Sequence, residues 1–227
     1  MTDFDGLAER YRDSVQDSIE FSGQSVEFFS RRKAERVLEI TARLLTAPSE
    51  MSFLDVGCGV GMTDRFLSGR VGHLVGVDEA RLALAAGAGA NPSFNYCGGD
   101  ALALPFPDGC FDVAFTICVL HHVHIEHRAA FLSEMTRVVR PGGLVLVFEH
   151  NPWNPGTRVA VSRCEFDVDV SLLARRTVSR LLQAAGLQPI EARDLIFTTS
   201  DRAWAGWIET VMAPTPFGAQ HYVAARR

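Results

Sequence analysis

Apolar and polar residues follow two different patterns along this chain, and the change falls near Pro48. Before that proline, apolar residues recur at roughly helical spacing among charged ones, which predicts a helical region over residues 1–47. From Met51 onward, short and nearly continuous apolar runs alternate with amphipathic segments. Strands of that composition are buried on both faces, so we expect a parallel sheet covered by helices on both sides.

Helices are expected between the strands of this region. One follows the first strand through Phe66 and Leu67, a second covers residues 81–88, and a third covers residues 126–139, where the apolar residues share one face. Pro141-Gly142-Gly143 ends the third helix, because proline and glycine disfavour helix interiors. The predicted strands of the whole chain are residues 53–56, 73–77, 93–96, 111–115, 144–148, 190–197 and 220–224.

The pattern becomes less regular after the fifth predicted strand. Residues 151–170 contain the turn signals Asn151-Pro152 and Asn154-Pro155-Gly156, which predict an inserted segment over the edge of the sheet. Residues 172–185 predict a helix that Gly186 ends. We therefore expect the last two strands to join the sheet after these irregular segments, without the strand–helix alternation seen before them.

Composition limits the classes of protein that this chain can represent. Its 227 residues are 47% hydrophobic and 22% charged, which is typical of one globular domain with a sizeable core. Apolar runs long enough to cross a bilayer are absent from the sequence, and the charged N-terminus lacks a signal-peptide core. The five cysteines include no CxxC pair, which favours free thiols and a cytoplasmic location. A net charge of −5 argues against a nucleic-acid partner, so we expect a small-molecule partner and no membrane partner.

A glycine-rich segment, residues 55–61 with the sequence DVGCGVG, follows the first predicted strand. Glycine permits a positive φ and lets a ligand approach the backbone closely. The nicotinamide-binding fingerprint GxGxxG is incomplete, because Met62 or Asp64 stands where its third glycine belongs. The carboxylate of Asp55 would repel a pyrophosphate but suits a ligand with an ammonium group. The segment therefore favours an amino-acid-bearing nucleotide, with a nicotinamide oxidoreductase as a more distant alternative.

Acidic residues stand at the ends of the first three predicted strands. Asp78 ends the second strand, where a carboxylate can accept hydrogen bonds from both hydroxyls of a ribose. Asp100 follows the third strand, where it can accept from an adenine amino group. Each acid alone is better explained as a turn or cap residue. Together with Asp55, however, they mark the carboxyl edge of the sheet as a ligand site.

These motifs, in this order, resemble those of the class I S-adenosylmethionine-dependent methyltransferases. The run Glu149–Pro155 additionally resembles a feature of a bacterial small-molecule subgroup. The resemblance covers about residues 50–150. The segments that carry it are Phe53–Gly61, Val77-Asp78, Gly99-Asp100-Ala101, Leu104–Asp108, Phe111-Asp112, Val119–Val123 and Arg137–Gly143.

The resemblance implies a Rossmann-like, α/β fold with a seven-stranded, mostly parallel sheet, helices on both faces and an antiparallel last strand. We expect residues 1–227 to form one domain, in which residues 1–47 are an N-terminal helical lid. Residues 50–150 would be the cofactor-binding core, and residues 151–227 the insertion and C-terminal strands. The implied cofactor is S-adenosylmethionine, with S-adenosylhomocysteine as the product.

Carried over residue by residue, the resemblance also implies a set of cofactor-binding positions. Asp55, Gly57 and Gly59 would flank the methionine moiety, and Asp78 would hold the ribose. Cys58 lies between the two glycines and is counted with them, as a small packing residue rather than a nucleophile. The adenine would meet Asp100 and Ala101, while the backbone of Ile117 would touch the cofactor.

His121 and His122 follow the fourth predicted strand and are the candidate catalytic residues. Histidine titrates near neutral pH, so either could act as general base, and either could instead order its loop by hydrogen bonding. Glu149 and His150 are the next candidates. The histidines also invite a metal site, with His124 and His127 spaced for one helical face. Because the sequence has no HExxH motif and no cysteine pair, we expect no metal.

Aromatic residues outside the predicted cofactor-binding core are the candidates for the wall of an acceptor pocket. Each of them, taken singly, is better explained as core or lid packing than as a substrate contact. The candidate substrate-binding residues are Tyr11, Phe28, Trp153, Trp204 and Trp207, with Phe21, Phe29 and Phe217 as further wall candidates.

We therefore expect a methyltransferase that acts on a small molecule, such as a bacterial metabolite or natural product, as a monomer or homodimer. An RNA or protein methyltransferase on the same core is the first alternative, and a connected basic groove would favour RNA. A non-catalytic module that keeps the cofactor site is the second alternative, because cofactor would bind there without turnover.

Overall fold

A seven-stranded sheet forms the centre of the chain. The computed structural model describes residues 10–200 and 202–227, so the first nine residues of the predicted helical region lie outside the described residues. The strands are β1 (Ser52–Val56), β2 (His73–Asp78), β3 (Asn95–Gly98), β4 (Phe111–Ile117), β5 (Val139–His150), β6 (Gln188–Leu195) and β7 (Gln220–Arg226).

Seven α-helices and four short 3-10 turns surround the sheet in the described residues. The turns cover Glu20–Ser22, Pro48–Glu50, Asp64–Phe66 and Glu165–Asp167. The helices are α1 (Tyr11–Ile19), α2 (Val26–Leu44), α3 (Arg81–Ala90), α4 (Arg128–Val138), α5 (Pro155–Arg163), α6 (Arg175–Ala184) and α7 (Ala203–Met212).

The strand order is β3-β2-β1-β4-β5-β7-β6, and the first five strands in that order are parallel. β7 lies between β5 and β6 and is antiparallel to both. The predicted Rossmann-like sheet with an antiparallel last strand is thus confirmed. β5 begins earlier than predicted, because Val139 already pairs with Phe111 before the register shifts ahead of Leu144.

The two faces of the sheet carry separate cores, as nearly continuous apolar strands require. In β1, Leu54 packs into a cluster that includes Phe131 of α4 and Val178 of α6. Its neighbour Phe53 packs on the opposite face, against Val37 of α2. All five side chains are fully buried or nearly so. This burial fixes the sheet in position, and with it the loops at the carboxyl ends of the strands.

The predicted N-terminal helical region contains two helices within the described residues. Gly23 has a φ of +69°, which interrupts the helical path between α1 and α2. Ser25 then caps α2, because its side chain accepts a hydrogen bond from the backbone N–H of Phe28. The break lets α1 turn away and contact α5, so that the two helices cover the same edge of the sheet.

The helix predicted through Phe66 and Leu67 is not formed, and this prediction is corrected. Within residues 57–72, all of which are described, the regular structure after the glycine-rich segment is a single 3-10 turn, Asp64–Phe66. Gly69, with a φ of +70°, turns the chain back towards β2 after that turn. Asp64 is fully buried in it, so the chain here packs a polar side chain inward instead of presenting an apolar helical face.

None of the helices in residues 10–200 and 202–227 combines the length and the apolar character needed to cross a bilayer.

The packing of α2 on the sheet predicts that truncating a large side chain beneath it lowers the free energy of unfolding substantially. Phe115 in β4 is fully buried in this cluster. We expect Phe115→Ala to lower the free energy of unfolding by about 3–5 kcal/mol, because it removes buried apolar area and leaves a cavity. Thermal and urea denaturation measure the change. Val211→Ala, at a half-exposed position of α7, is the control and should change stability by less than about 0.5 kcal/mol; equal effects would contradict the assigned core.

Candidate active site

A cavity of about 1260 Å³ lies at the carboxyl ends of the parallel strands. Its walls come from α1, α2, the glycine-rich segment, the loops after β3 and β4, α5 and the start of α7. One end of the cavity contains the glycine-rich segment, and the other contains histidines and carboxylates. Such crevices at the carboxyl edge of an open α/β sheet are the usual ligand sites of this architecture.

Glycine is required in the loop at one end of the cavity. Gly57 has a φ of +77°, and a Cβ there would lie 2.6 Å from Val119 Cγ2. Gly59 has a φ of +53° and open space where its Cβ would be, while its N–H donates to Asp78 Oδ2 at 2.8 Å. The backbone of this loop is therefore accessible at Gly59, which allows a ligand to approach it closely.

Two of the three predicted acids face this end of the cavity from loops that they help to order. Asp78 accepts N–H bonds from Gly59 and Ala80, one on each carboxylate oxygen. Asp100 is exposed and accepts from the N–H of Leu102 at 2.7 Å. A carboxylate oxygen has two lone pairs, so each of these groups keeps acceptor capacity for ligand hydroxyl or amino groups.

The third acid, Asp55, lines the cavity although it is 96% buried, with a relative exposure of 4%. Its Oδ1 has no hydrogen-bond partner in the described part of the chain. Burial, followed by the nearby carboxyl group of Asp64, raises the pKa of Asp55 well above its usual value. A buried acceptor that receives no N–H or O–H from the protein suits a cationic group of a ligand.

The predicted cofactor positions therefore fit S-adenosylmethionine in chemistry and in space. Asp55, which lines the cavity, has a buried carboxylate oxygen without a partner among the described residues, and the space above Gly59 is open. Ala101 and Ile117 line the same cavity. Cys58 also lines it, but its thiol packs against β2, and burial raises its pKa. A thiol in that state is a packing group, not a nucleophile.

The other end of the cavity contains a connected set of imidazoles and carboxylates, here called the histidine network. Glu149 Oε2 lies 2.5 Å from His121 Nδ1, and both side chains are fully buried. Asp167 Oδ1 lies 3.4 Å from His121 Nε2 and 3.3 Å from His122 Nε2, so it bridges the two imidazoles. His150 completes the network, with its ring centre 5.3 Å from that of His121.

The pKa values of the network separate one charged imidazole from two neutral ones. Burial opposes protonation of His121, but the charge of Glu149 and the hydrogen bonds of both carboxylates raise its pKa to about 10. Burial lowers the pKa of His150 to about 4, and the charge of His121 lowers it further. The pKa of His122 is also lowered, mainly by burial. Near neutral pH, His121 is therefore an imidazolium held between two carboxylates, while His122 and His150 are neutral.

Three donor groups of the network are close enough to suggest a metal site. Ligand atoms of His121, His150 and Asp167 all lie within 4.8 Å of one another. Both ring nitrogens of His121, however, already have carboxylate partners. His124 and His127 are exposed and precede α4, so the helical spacing suggested for them is not present.

The aromatic residues predicted for the pocket wall divide into two groups. Tyr11, Trp204, Phe21 and Phe29 line the cavity. Four others do not and are corrections: Phe28 is buried in the core with α2, while Trp153, Trp207 and Phe217 lie at the surface with 72%, 68% and 65% of their area exposed. Phe28 and Phe29 differ because successive residues of a helix point about 100° apart.

Two residues of the site do not stand out in the sequence. Asp167 lies in the irregular segment 151–170, and only the three-dimensional path of that segment brings it between His121 and His122. Asp64 stands at the position where a third glycine of the nicotinamide fingerprint would fall, which is the sole sequence signal for it.

Comparison with known proteins places this site in a recognised group. Residues 54–147 match the family model described as a methyltransferase domain. The chain is 30% identical over 139 residues to a probable chloroplastic tocopherol O-methyltransferase of Oryza sativa subsp. japonica. This match covers 56% of this chain and 38% of that protein. It is also 35% identical over 146 residues to a demethylmenaquinone methyltransferase of Mycolicibacterium vanbaalenii. That match covers 64% of this chain and 58% of that protein.

The fold comparison extends over nearly the whole chain. A crystal structure from Thermotoga maritima, described as a SAM-dependent methyltransferase and possible histamine N-methyltransferase, superposes with a TM-score of 0.70. It is 18% identical and the match covers 98% of this chain and 97% of that one, so the likeness is one of fold. The chain spans about half the length of the curated relatives that it matches.

The chain therefore contains a methyltransferase domain over residues 54–147, on the fold that the S-adenosylmethionine-dependent methyltransferases share.

The histidine network predicts that Glu149 controls the charge of His121. We expect Glu149→Gln to lower the pKa of His121 from about 10, because the carboxylate charge is removed while the burial that disfavours the imidazolium remains. NMR titration of the His121 ring measures the shift.

Glu126→Gln is the matched control, because Glu126 is exposed and lies beside His124 instead. An unchanged His121 titration in Glu149→Gln, or an equal shift in Glu126→Gln, would contradict the assigned pairing.

Proposed function

We propose that this protein transfers a methyl group from S-adenosylmethionine to a small-molecule acceptor, such as a bacterial metabolite or natural product. The observation that carries the proposal is that one cavity contains both the glycine-rich segment with its acids and the histidine network. When bound, S-adenosylmethionine supplies a methyl group on a sulfonium centre. The chain itself has to orient the two partners and exclude water between them.

The cofactor end of the cavity is assigned by the chemistry of its donors and acceptors. Asp55 meets the ammonium group, the backbone of Gly57 and Gly59 flanks the methionine moiety, and Asp78 accepts from the ribose hydroxyls. The lone pairs left on Asp78 after it binds two backbone N–H groups support this role. Asp100, with Ala101 beside it, accepts from the adenine amino group.

The remaining walls favour an acceptor that is small and mainly apolar. Tyr11, Phe29 and Trp204 line this part of the cavity, together with Phe166 and Phe197. Lys33 is the single lysine or arginine among the described lining residues, so the connected basic groove that an RNA substrate needs is not formed there. The tocopherol and demethylmenaquinone enzymes named above support an apolar, ring-bearing acceptor by their names.

The histidine network favours an acceptor that has to lose a proton when it is methylated. Of the two predicted catalytic histidines, His122 is neutral near pH 7 and can accept that proton, with Asp167 orienting its ring. His121 is the charged partner that holds Asp167 and Glu149 in place. We propose that this arrangement works without a metal ion, because both ring nitrogens of His121 are occupied by carboxylates.

The same proposal extends to the setting of the enzyme. All five cysteines are free thiols, which supports a cytoplasmic location. We propose that residues 1–227 act as one domain, as a monomer or homodimer.

The assignment of Asp78 predicts a loss of cofactor affinity when its carboxylate is removed. We expect Asp78→Ala to weaken binding of S-adenosylhomocysteine by at least about 1–3 kcal/mol, because hydrogen bonds to the ribose are lost in a partly buried site. Calorimetry measures the affinity, with Asp108→Ala as the control because that carboxylate is exposed and pairs with Arg137. Affinity equal to that of the parent protein in Asp78→Ala would remove the ribose assignment, and binding of NAD with equal strength would favour the nicotinamide alternative.

The assignment of His122 predicts a loss of turnover without a loss of cofactor affinity. We expect His122→Ala to lower kcat by about 10²–10⁴, with an acceptor identified by screening ring-bearing alcohols and quinols for S-adenosylhomocysteine formation. In the parent protein, turnover should fall only as the pH drops below the ordinary histidine value of about 6.5, because the pKa of His122 is lowered.

His73→Ala is the control for this variant, because His73 begins β2 at an exposed position outside the cavity. Dialysis against a chelator should leave turnover unchanged. A kcat within a few-fold of the parent in His122→Ala would contradict the base role, and binding of S-adenosylhomocysteine without turnover on any acceptor would favour the non-catalytic alternative.

A further inference from the structure

Two buried carboxyl groups lie in contact beneath the glycine-rich segment. Asp55 has a relative exposure of 4% and Asp64 of 0%. Asp64 is the main charged neighbour of Asp55, and Oδ1 of each receives no N–H or O–H from another described residue. Ionised carboxylates only accept hydrogen bonds, so two buried neighbouring carboxyl groups are stabilised by one proton shared between them.

The groups around the pair hold Asp64 in place from the side away from the cavity. The hydroxyl of Tyr96 donates to Asp64 Oδ2 at 2.8 Å. Asn91 Nδ2 lies 3.0 Å from that hydroxyl and 3.1 Å from the backbone oxygen of Gly61, so the same chain of contacts reaches the end of the glycine-rich segment. Asp64 is therefore fixed as firmly as the loop itself.

The two acids differ in their access to a ligand. Asp55 lines the cavity, whereas Asp64 lies behind it and is absent from the described lining residues. The other titratable groups that act on the pair are Asp78 at the end of β2, the Cys58 thiol in the loop and Lys33 of α2. The pair and Asp78 together make three acids against one lysine, which leaves room for a further positive charge.

We propose that Asp64 is a positioning residue for cofactor recognition, which shares one proton with Asp55 in the ligand-free protein and lets that proton leave when the ammonium group of the cofactor binds. The proton passes to water, the charge of the pair changes from −1 to −2, and the ammonium group adds +1 to the pocket. The net charge of the pocket thus stays the same. This inference rests on the proposed cofactor.

The energetics of the pair agree with this assignment. Burial raises the pKa of Asp64 to about 6, and burial with the repulsion of Asp64 raises that of Asp55. A cation placed beside Asp55 favours the ionised pair and lowers these values. Ligand binding is therefore coupled to proton release while the pH is below the pKa of the ligand-free pair.

The consequence is a pH dependence that only an ammonium-bearing ligand shows. Over the range in which the free pair holds its proton, the affinity for S-adenosylhomocysteine should rise by up to about tenfold per pH unit. Above that range the affinity should level off. Methylthioadenosine has the same nucleoside but lacks the ammonium and carboxylate groups, so its affinity should be nearly independent of pH.

Titration calorimetry tests the inference directly. S-adenosylhomocysteine and methylthioadenosine are titrated from about pH 5.5 to about pH 7.5, each in two buffers that differ in ionisation enthalpy. We expect up to one proton released per bound S-adenosylhomocysteine and none for methylthioadenosine. Binding of S-adenosylhomocysteine without proton release across this range would overturn the inference and leave the proposed function standing, whereas no binding at any pH would remove the proposed function itself.

Asp64→Asn distinguishes positioning from packing. The asparagine amide can donate to Asp55 without a shared proton, so we expect binding to persist while proton release and the pH slope are lost. Asp112→Asn is the matched control, because Asp112 is partly buried at the start of β4, binds Ser52 and Arg140, and lies outside the cavity. Proton release in Asp64→Asn equal to that of the parent would overturn the inference.

Tyr96→Phe provides a second variant that does not alter either acid. It removes the hydroxyl that stabilises ionised Asp64, so the pH at which the affinity levels off should move upward. A profile identical to that of the parent would contradict the role of Asp64 even where Asp64→Asn does not fold.

Discussion

Burial of carboxylates at the carboxyl ends of the strands is the constraint on which this molecule depends. Asp55 near the end of β1 and Glu149 near the end of β5 are almost fully withdrawn from water, where an unpaired charge is very costly. Each has obtained a partner in a different way. Glu149 is paired with an imidazolium, and Asp55 lies beside a second buried acid, Asp64. Both ends of the cavity contain buried acids, but at one end the acid is neutralised by an imidazolium, and at the other two acids lie side by side.

The sheet could be predicted from the sequence because its strands are buried on both faces and read as continuous apolar runs. Local signals failed where a polar residue points inward. The segment after the glycines reads as a helix through Phe66, but Asp64 is buried there and Gly69 turns the chain back. The split between α1 and α2 likewise depends on Gly23, a residue whose left-handed conformation the apolar pattern does not reveal.

The parts of the site that follow parallel strands could be predicted, whereas a part that lies in an irregular segment could not. The acids at the strand ends could be found because parallel strands bring their carboxyl ends to one edge. Asp167 could not, since it reaches His121 by the path of an irregular segment. For aromatic residues, composition alone does not distinguish wall from surface: Trp204 lines the cavity, whereas Trp207, three positions along α7, lies outside it and is 68% exposed.

The walls of the cavity differ in their origin along the chain. The side assigned to the cofactor is formed by loops of the sheet between residues 55 and 102, together with Ile117. The opposite side comes from α1, α2, α5, the histidines after β4 and residues 196–204, which are far apart in sequence. Substitutions in those outer segments can reshape the space for an acceptor without disturbing the strand ends. Such a division lets acceptor preference diverge between related proteins while the group-donor chemistry stays constant, and it marks α1 and α5 as the segments to exchange when a new specificity is sought.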